Sequence, residues 1–234
     1  MSTLSSFGLI KNGEYHLRDV PISKLIREQD FISVLCLTWI GRLPTATEKL
    51  LVNACFVACV DHGIAPPSTQ VTRTIASCGK PLVDAVAGGL LTLGPRHGNA
   101  ATAAGAWIQE AIKAGQTPEE IVEEALATKK RLPGIGHPEY EIDPRTTTIV
   151  DLAKQHLVSH PHLDLALEVS RLMKERKGAP LPLNVDGAIG ALMLDMRFPM
   201  EGADALFLVA RTVGLVAHAW EEMDATSGGR YRRG

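Results

Sequence analysis

The eighteen-residue run ADALFLVARTVGLVAHAW, residues 203 to 220, restricts the fold more than any other part of the chain. Its length and apolarity suit a membrane span. Asp204, Arg211 and His218 interrupt it at intervals of seven, however, so a helix in lipid would carry three ionisable groups. A helix buried in the core of a soluble protein is the expected alternative. Arg211, in its middle, is then the oddity. A guanidinium cannot shed its charge, so burying it without an anion costs on the order of several kcal/mol. It requires either an internal carboxylate or a bound one.

Other readable segments repeat the helical period. TATE at 45–48 is a capping box, followed by an apolar face of Leu50, Leu51, Ala54 and Ala58. TPEE at 117–120 repeats the device with Pro118 at the first helical position, and Pro161 opens another helix. No convincing hairpin signal appears; the Asn12-Gly13 turn is the only candidate. Aromatics make up only 5% of a chain that is 45% hydrophobic, a balance that suits closely packed helices better than aromatic-rich strands. An all-α protein is expected, without repeats or a low-complexity linker.

A formal net charge of −2 argues against nucleic acid as the main partner. The N-terminus lacks a basic start followed by an apolar run, so no signal peptide is expected and the protein is placed in the cytoplasm. Cys36, Cys55, Cys59 and Cys78 fall within apolar helical patterns and are read as buried thiols in a reducing compartment. Cys55 and Cys59, four apart, would share a helical face suited to a metal, but no metal site is assigned.

Five short polar stretches stand out, each with an ordinary explanation. His62 in DHG follows an apolar helix, where histidine favours the helix dipole. GPRHGNA sets His97 between glycines at the start of a helix, where free N–H groups suit an anion or a polarised carbonyl. LPLNVDG places Asn184 and Asp186 before a helix, and either is a good N-cap. Lys129, Lys130 and Arg131 precede a Pro133-Gly134 turn, which suits a phosphate-bearing ligand or a plain helix C-terminus. GRYRRG ends the chain with Arg230, Arg232 and Arg233.

Together these stretches carry a resemblance. VDHG, GPRHGNA, GIGHPEYEIDPR, LNVDG and ARTVGLVAHAW follow one another as in the citrate synthase family, over residues 60 to 220. GKPLVDAVAGGLLTLGPR and LNVDGAIGALMLDM are similar to the citryl-CoA lyase branch. The resemblance implies a citrate synthase-like fold with a large helical domain, residues 1–100 and 186–234, and a small one, 101–185, closing over the active site. It implies cleavage of citryl-CoA to acetyl-CoA and oxaloacetate, with no cofactor beyond the coenzyme A of the substrate. A small citrate synthase, a related acyl-CoA/2-oxo acid lyase and a non-catalytic CoA- or dicarboxylate-binding relative are the alternatives. The family would also form homodimers or larger assemblies with shared sites, and citryl-CoA would be made by a separate enzyme.

Residue by residue, Asp186 matches the carboxylate that moves a proton at the acetyl carbon. His97 matches the histidine on the thioester oxygen, and His137 the one on the oxaloacetate carbonyl oxygen. His62, Arg145, Arg211 and Arg232 match the groups holding substrate carboxylates, Arg232 coming from a neighbouring subunit. Lys130, Arg131, Leu132, Pro133, Gly134, Ile135 and Gly136 would bind CoA. Pro138 stands where the family often has arginine, and the interval to Asp143-Pro144-Arg145 is one residue shorter.

Overall fold

The computed structural model describes residues 7–94, 97–98, 100–137 and 141–224. They form two compact units, Met1–Ala54 and Cys55–Gly234. The first holds strands β1 (Gly8–Lys11), β2 (Glu14–Leu17) and β3 (Val20–Pro21), helices α1 (Ile22–Glu28) and α2 (Phe31–Ile40), and the start of α3 (Ala46–Cys59). β1 and β2 pair antiparallel with Lys11 opposite Glu14. Asn12 and Gly13 join them at φ of 54° and 78°, the left-handed pair that a two-residue hairpin turn demands. The small sheet is the structure's addition to an otherwise helical chain.

The second unit contains the end of α3, then α4 (Pro67–Ser77), α5 (Leu82–Leu90), α6 (Ala100–Ala114) and α7 (Pro118–Ala127). It continues with α8 (Pro144–His156), α9 (Pro161–Lys177), α10 (Val185–Asp195) and α11 (Glu201–Met223). Both capping boxes form as read. Thr117 accepts from Glu120 N–H while the Glu120 carboxylate accepts from the Thr117 backbone, and Thr45 and Glu48 exchange the same two bonds at 3.2 and 2.7 Å.

α10 is the central helix, with an unbroken buried run from Gly187 to Leu194. α6, α8, α9 and α11 all pack against it. Its closest neighbour is α6, because a Cβ on Gly190 would sit 2.5 Å from the Ala101 carbonyl oxygen. A second layer joins α4, α5 and α11 through Ala76, Ala85, Val86, Leu215 and Ala219. α11 is long and apolar enough to cross a membrane, yet 44% of its most apolar window is buried inside the molecule. Cys36, Cys55 and Cys59 are buried as expected. Cys78 is exposed instead, because α4 ends at Ser77 and the thiol falls on the cap beyond its last turn.

Candidate active site

The second unit contains a cavity of about 430 Å³ lined by His62, His97, Gly136, His137, Arg145, Asp186 and Arg211, among others. Residues spread over 150 positions of sequence thus meet around one space. Each is delivered by a particular local device.

His97 is presented by a tight loop before α6. Gly94 and His97 exchange backbone bonds of 2.8 and 2.9 Å. Gly98 follows at φ 99°, and a Cβ there would lie 2.9 Å from the Phe207 ring, so only glycine fits. The His97 ring stands edge-on to Phe207 with centroids 6.1 Å apart, and its Nε2 lies 2.8 Å from Ser68 Oγ. Burial, reinforced by the nearby Arg211 and His62 charges, pushes its pKa below the ordinary histidine value.

His137 and Asp186 share a wall because the glycine loop lies directly on the first turn of α10. A Cβ on Gly187 would stand 2.6 Å from the Gly134 carbonyl oxygen, and one on Gly134 would stand 2.5 Å from Gly187 Cα. Asn184 stitches the two segments together. Its backbone N–H donates to Gly134 O at 2.9 Å, its side-chain amide donates to Gly136 O at 2.8 Å, and its Oδ1 accepts from Gly187 N–H as the N-cap of α10. The Gly136 N–H in turn donates to Pro182 O at 2.7 Å. The His137 and His62 rings meet edge to face, 5.9 Å between centroids.

Asp186 stands in that first turn. Burial raises its pKa, Arg145 and Arg211 pull it back, and Asp143 and Asp204 add to the rise. Arg145 is held by the residue that starts its own helix. Asp143 caps α8 by accepting from Arg145 N–H, then grips the guanidinium with bonds of 3.0 Å to Nε and 2.8 Å to Nη2. The Asp143 carboxylate is only 1% exposed. Arg145 keeps its charge firmly, since these bonds outweigh the burial that opposes it.

Arg211 is 3% exposed. Its Nε donates to the Cys59 carbonyl at 3.3 Å, and its guanidinium carbon lies 4.9 Å over the Phe207 ring. Nη1 has no hydrogen-bond partner, and no described carboxylate forms an ion pair with it. Among the described residues no carboxylate meets the guanidinium directly, although the charges of Asp61 and Asp186 reach it at longer range. Burial lowers the Arg211 pKa, as for any cation kept from water.

A second cavity of about 370 Å³ shares Gly136 and His137 with the first and is lined by Lys130, Arg131, Leu132, Ile135, Met173, Lys177, Pro180 and Leu181. Five of the seven residues expected to bind CoA face this space. Pro133 and Gly134 do not: the Pro133 carbonyl accepts from Trp107 Nε1 at 2.9 Å, and Gly134 packs on Gly187. Lys177, at the end of α9, is a cation that sequence reasoning missed. Ser68, Cys59 and Phe207 were missed as well; each sits inside an ordinary helical pattern with no signal of its own. Glu141 is exposed and lines neither cavity. Pro138, Glu139, Arg230, Arg232 and Arg233 lie outside the described residues.

Residues 46–232 match the family described as citrate synthase, C-terminal domain. The chain belongs to the citrate synthase family. Its structure superimposes on citryl-CoA lyase from Hydrogenobacter thermophilus with a TM-score of 0.92 and 35% identity, covering all of this chain and 92% of that one. A structure of ATP citrate lyase from Methanothrix soehngenii, in complex with citrate and coenzyme A, matches with a TM-score of 0.91 and 26% identity, covering 100% of this chain and 40% of that one. In sequence, the chain is 34% identical over 231 residues to a probable ATP-citrate synthase of Dictyostelium discoideum, covering 91% of this chain. It spans 37% of the length of that relative. The citrate synthase resemblance carried by the five motifs is therefore borne out, as is the citrate synthase-like helical fold.

Proposed function

We propose that the protein is a citryl-CoA lyase, splitting citryl-CoA into acetyl-CoA and oxaloacetate. The observation that carries this reading is the buried, unpaired Arg211 beside Asp186, Arg145 and three histidines in one cavity. The two free carboxylates of citryl-CoA are suited partners for the arginines of this cavity. The likeness to a citryl-CoA lyase over nearly its whole length supports the same choice.

Arg145, Arg211 and His62 hold the substrate carboxylates, with Arg232 contributed by a neighbouring subunit. Because Asp143 already fixes one edge of the Arg145 guanidinium, its remaining donors are presented in one orientation. His137 takes the proton of the tertiary hydroxyl. The carbon–carbon bond to the acetyl methylene then breaks, its electron pair passing to the methylene as an enolate and the hydroxyl-bearing carbon becoming the oxaloacetate carbonyl. His97 donates a hydrogen bond to the enolate oxygen. A neutral imidazole suits that task, because it stabilises developing charge without delivering its proton. Asp186, whose burial favours the protonated form, gives its proton to the methylene carbon and completes acetyl-CoA.

The basic second cavity takes the CoA moiety along Lys130, Arg131, Leu132, Ile135 and Gly136. Residues 101–185 act as the small domain that closes over the substrate and excludes water. The working form is a homodimer or larger assembly, and citryl-CoA comes from a separate enzyme.

Oxaloacetate release from citryl-CoA, followed through malate dehydrogenase and NADH, tests the reading with Asp186→Ala alongside. Release that falls by about 100-fold or more in the variant is the expected result. A folded, CoA-binding wild-type protein that releases no oxaloacetate would refute it.

A further inference from the structure

α11 touches three successive residues of the segment that leads to His62. Arg211 Nε donates to the Cys59 carbonyl at 3.3 Å. Gly214, three residues on, lies so close to the next residue that a Cβ would stand 2.1 Å from Val60 O. His218, seven residues after Arg211, places Nε2 2.9 Å from Asp61 Oδ1. Positions i, i+3 and i+7 form one helical face, so a single face of α11 holds residues 59, 60 and 61 in order. The next residue is His62.

Asp61 closes the turn around that histidine. Its other carboxylate oxygen accepts from Gly63 N–H at 2.9 Å, and Gly63 adopts φ 75°, a conformation natural only to glycine. Burial opposes the Asp61 charge, but the bonds from Gly63 and His218 outweigh it and keep the carboxylate ionised below its ordinary range. His218 is thereby the donor from Nε2. Its Nδ1 faces Glu221 at 3.9 Å, and Glu221 is engaged by Arg73 of α4 at 2.5 Å. Arg73 also binds the buried Glu222 at 2.7 Å, which fixes this end of α11 to α4.

We propose that Asp61 and His218 form a positioning pair for His62, holding the 61–63 turn so that the imidazole stays in the cavity at a set distance from Arg211. The Asp61 side chain is 43% exposed, so the pair adds little to global stability. Its effect is local, on where His62 points. The proposal rests on the reading that His62 binds a substrate carboxylate.

The test compares the full-length wild-type chain with His218→Leu, His218→Gln, Asp61→Asn and the Asp61→Asn/His218→Leu double variant. Calorimetry gives the oxaloacetate Kd, citryl-CoA cleavage gives KM and kcat, and thermal unfolding gives Tm. His218→Leu is expected to raise Kd and KM about fivefold, with kcat within about twofold and Tm nearly unchanged. His218→Gln, whose amide nitrogen reaches the Nε2 position, restores both to within about twofold. Asp61→Asn matches His218→Leu, and the double variant is no worse than either single one. Unchanged Kd and KM in His218→Leu overturn the proposal, and so does an equal loss in the Gln and Leu variants. A wild-type protein that binds oxaloacetate but leaves citryl-CoA intact refutes the lyase reading alone, and the Kd comparison still decides the pair. Absence of oxaloacetate binding refutes both.

Discussion

Ser68 occupies one nitrogen of His97, its Oγ lying 2.8 Å from Nε2. Ser68 is fully buried in the first turn of α4, so its hydroxyl has no water to turn to. With Nε2 engaged, Nδ1 is the nitrogen left for substrate. Ser68→Ala removes the hydroxyl that holds the ring in its orientation. We expect kcat to fall by about fivefold with KM within about twofold, read from citryl-CoA cleavage, since a bond of this kind contributes about 1 kcal/mol. An unchanged kcat would mean that Phe207 and the 94–98 loop orient His97 unaided.

His97 also couples stability to pH. Burial holds its folded pKa below the ordinary histidine value, so the unfolded chain binds the proton first as pH falls. The contribution from keeping this imidazole neutral is fully present above about pH 6.5 and is lost as pH falls through the depressed folded pKa. Tm should therefore decline less between about pH 6.5 and 5 in His97→Asn than in the wild type. Parallel Tm–pH curves for the two proteins would contradict this.

Arg211 places binding and stability in opposition. Replacing it by Met removes a buried charge that no described carboxylate contacts and that Asp61 and Asp186 offset only at a distance, and we expect the ligand-free protein to gain about 1 kcal/mol. The wild type should be stabilised by about 2.7 kcal/mol at oxaloacetate 100-fold above Kd, and Arg211→Met by none of it. Differential scanning calorimetry with and without oxaloacetate reads both effects.

Gly187 tests the contact that brings His137 and Asp186 to one wall. A methyl at 187 collides with the Gly134 carbonyl, and neither backbone segment is the flexible end of a side chain. Gly187→Ala should cost about 1–3 kcal/mol in urea unfolding. Turnover should fall more than this cost explains, because Asp186 is the adjacent residue.

Much of this was legible in the chain. Both threonine capping boxes start helices because the reciprocal bonds involve residues only three apart, which sequence spacing reports directly. The small sheet was not expected, because Asn12-Gly13 stood as a lone turn candidate without a convincing strand pattern beside it. Residues 62, 97, 137, 145, 186 and 211 converge as their shared motifs imply. What stayed hidden is contact between segments distant in sequence. Ser68 looks like the start of any Pro-led helix, and Phe207 like any apolar position of α11. The approach of Gly134 to Gly187 has no local signature at all. Arg211 shows the limit most clearly: sequence announced that it needed an anion, but only the structure shows that no described carboxylate forms an ion pair with it.

Asp143 starts α8 and grips Arg145 with the same carboxylate. The arginine therefore travels with its helix and not with the chain that leads into it. Residues gained or lost between His137 and Asp143 change the connection without moving the cation. The position of this charge is thus written into one turn of one helix, and the length of chain ahead of Asp143 is a separate variable.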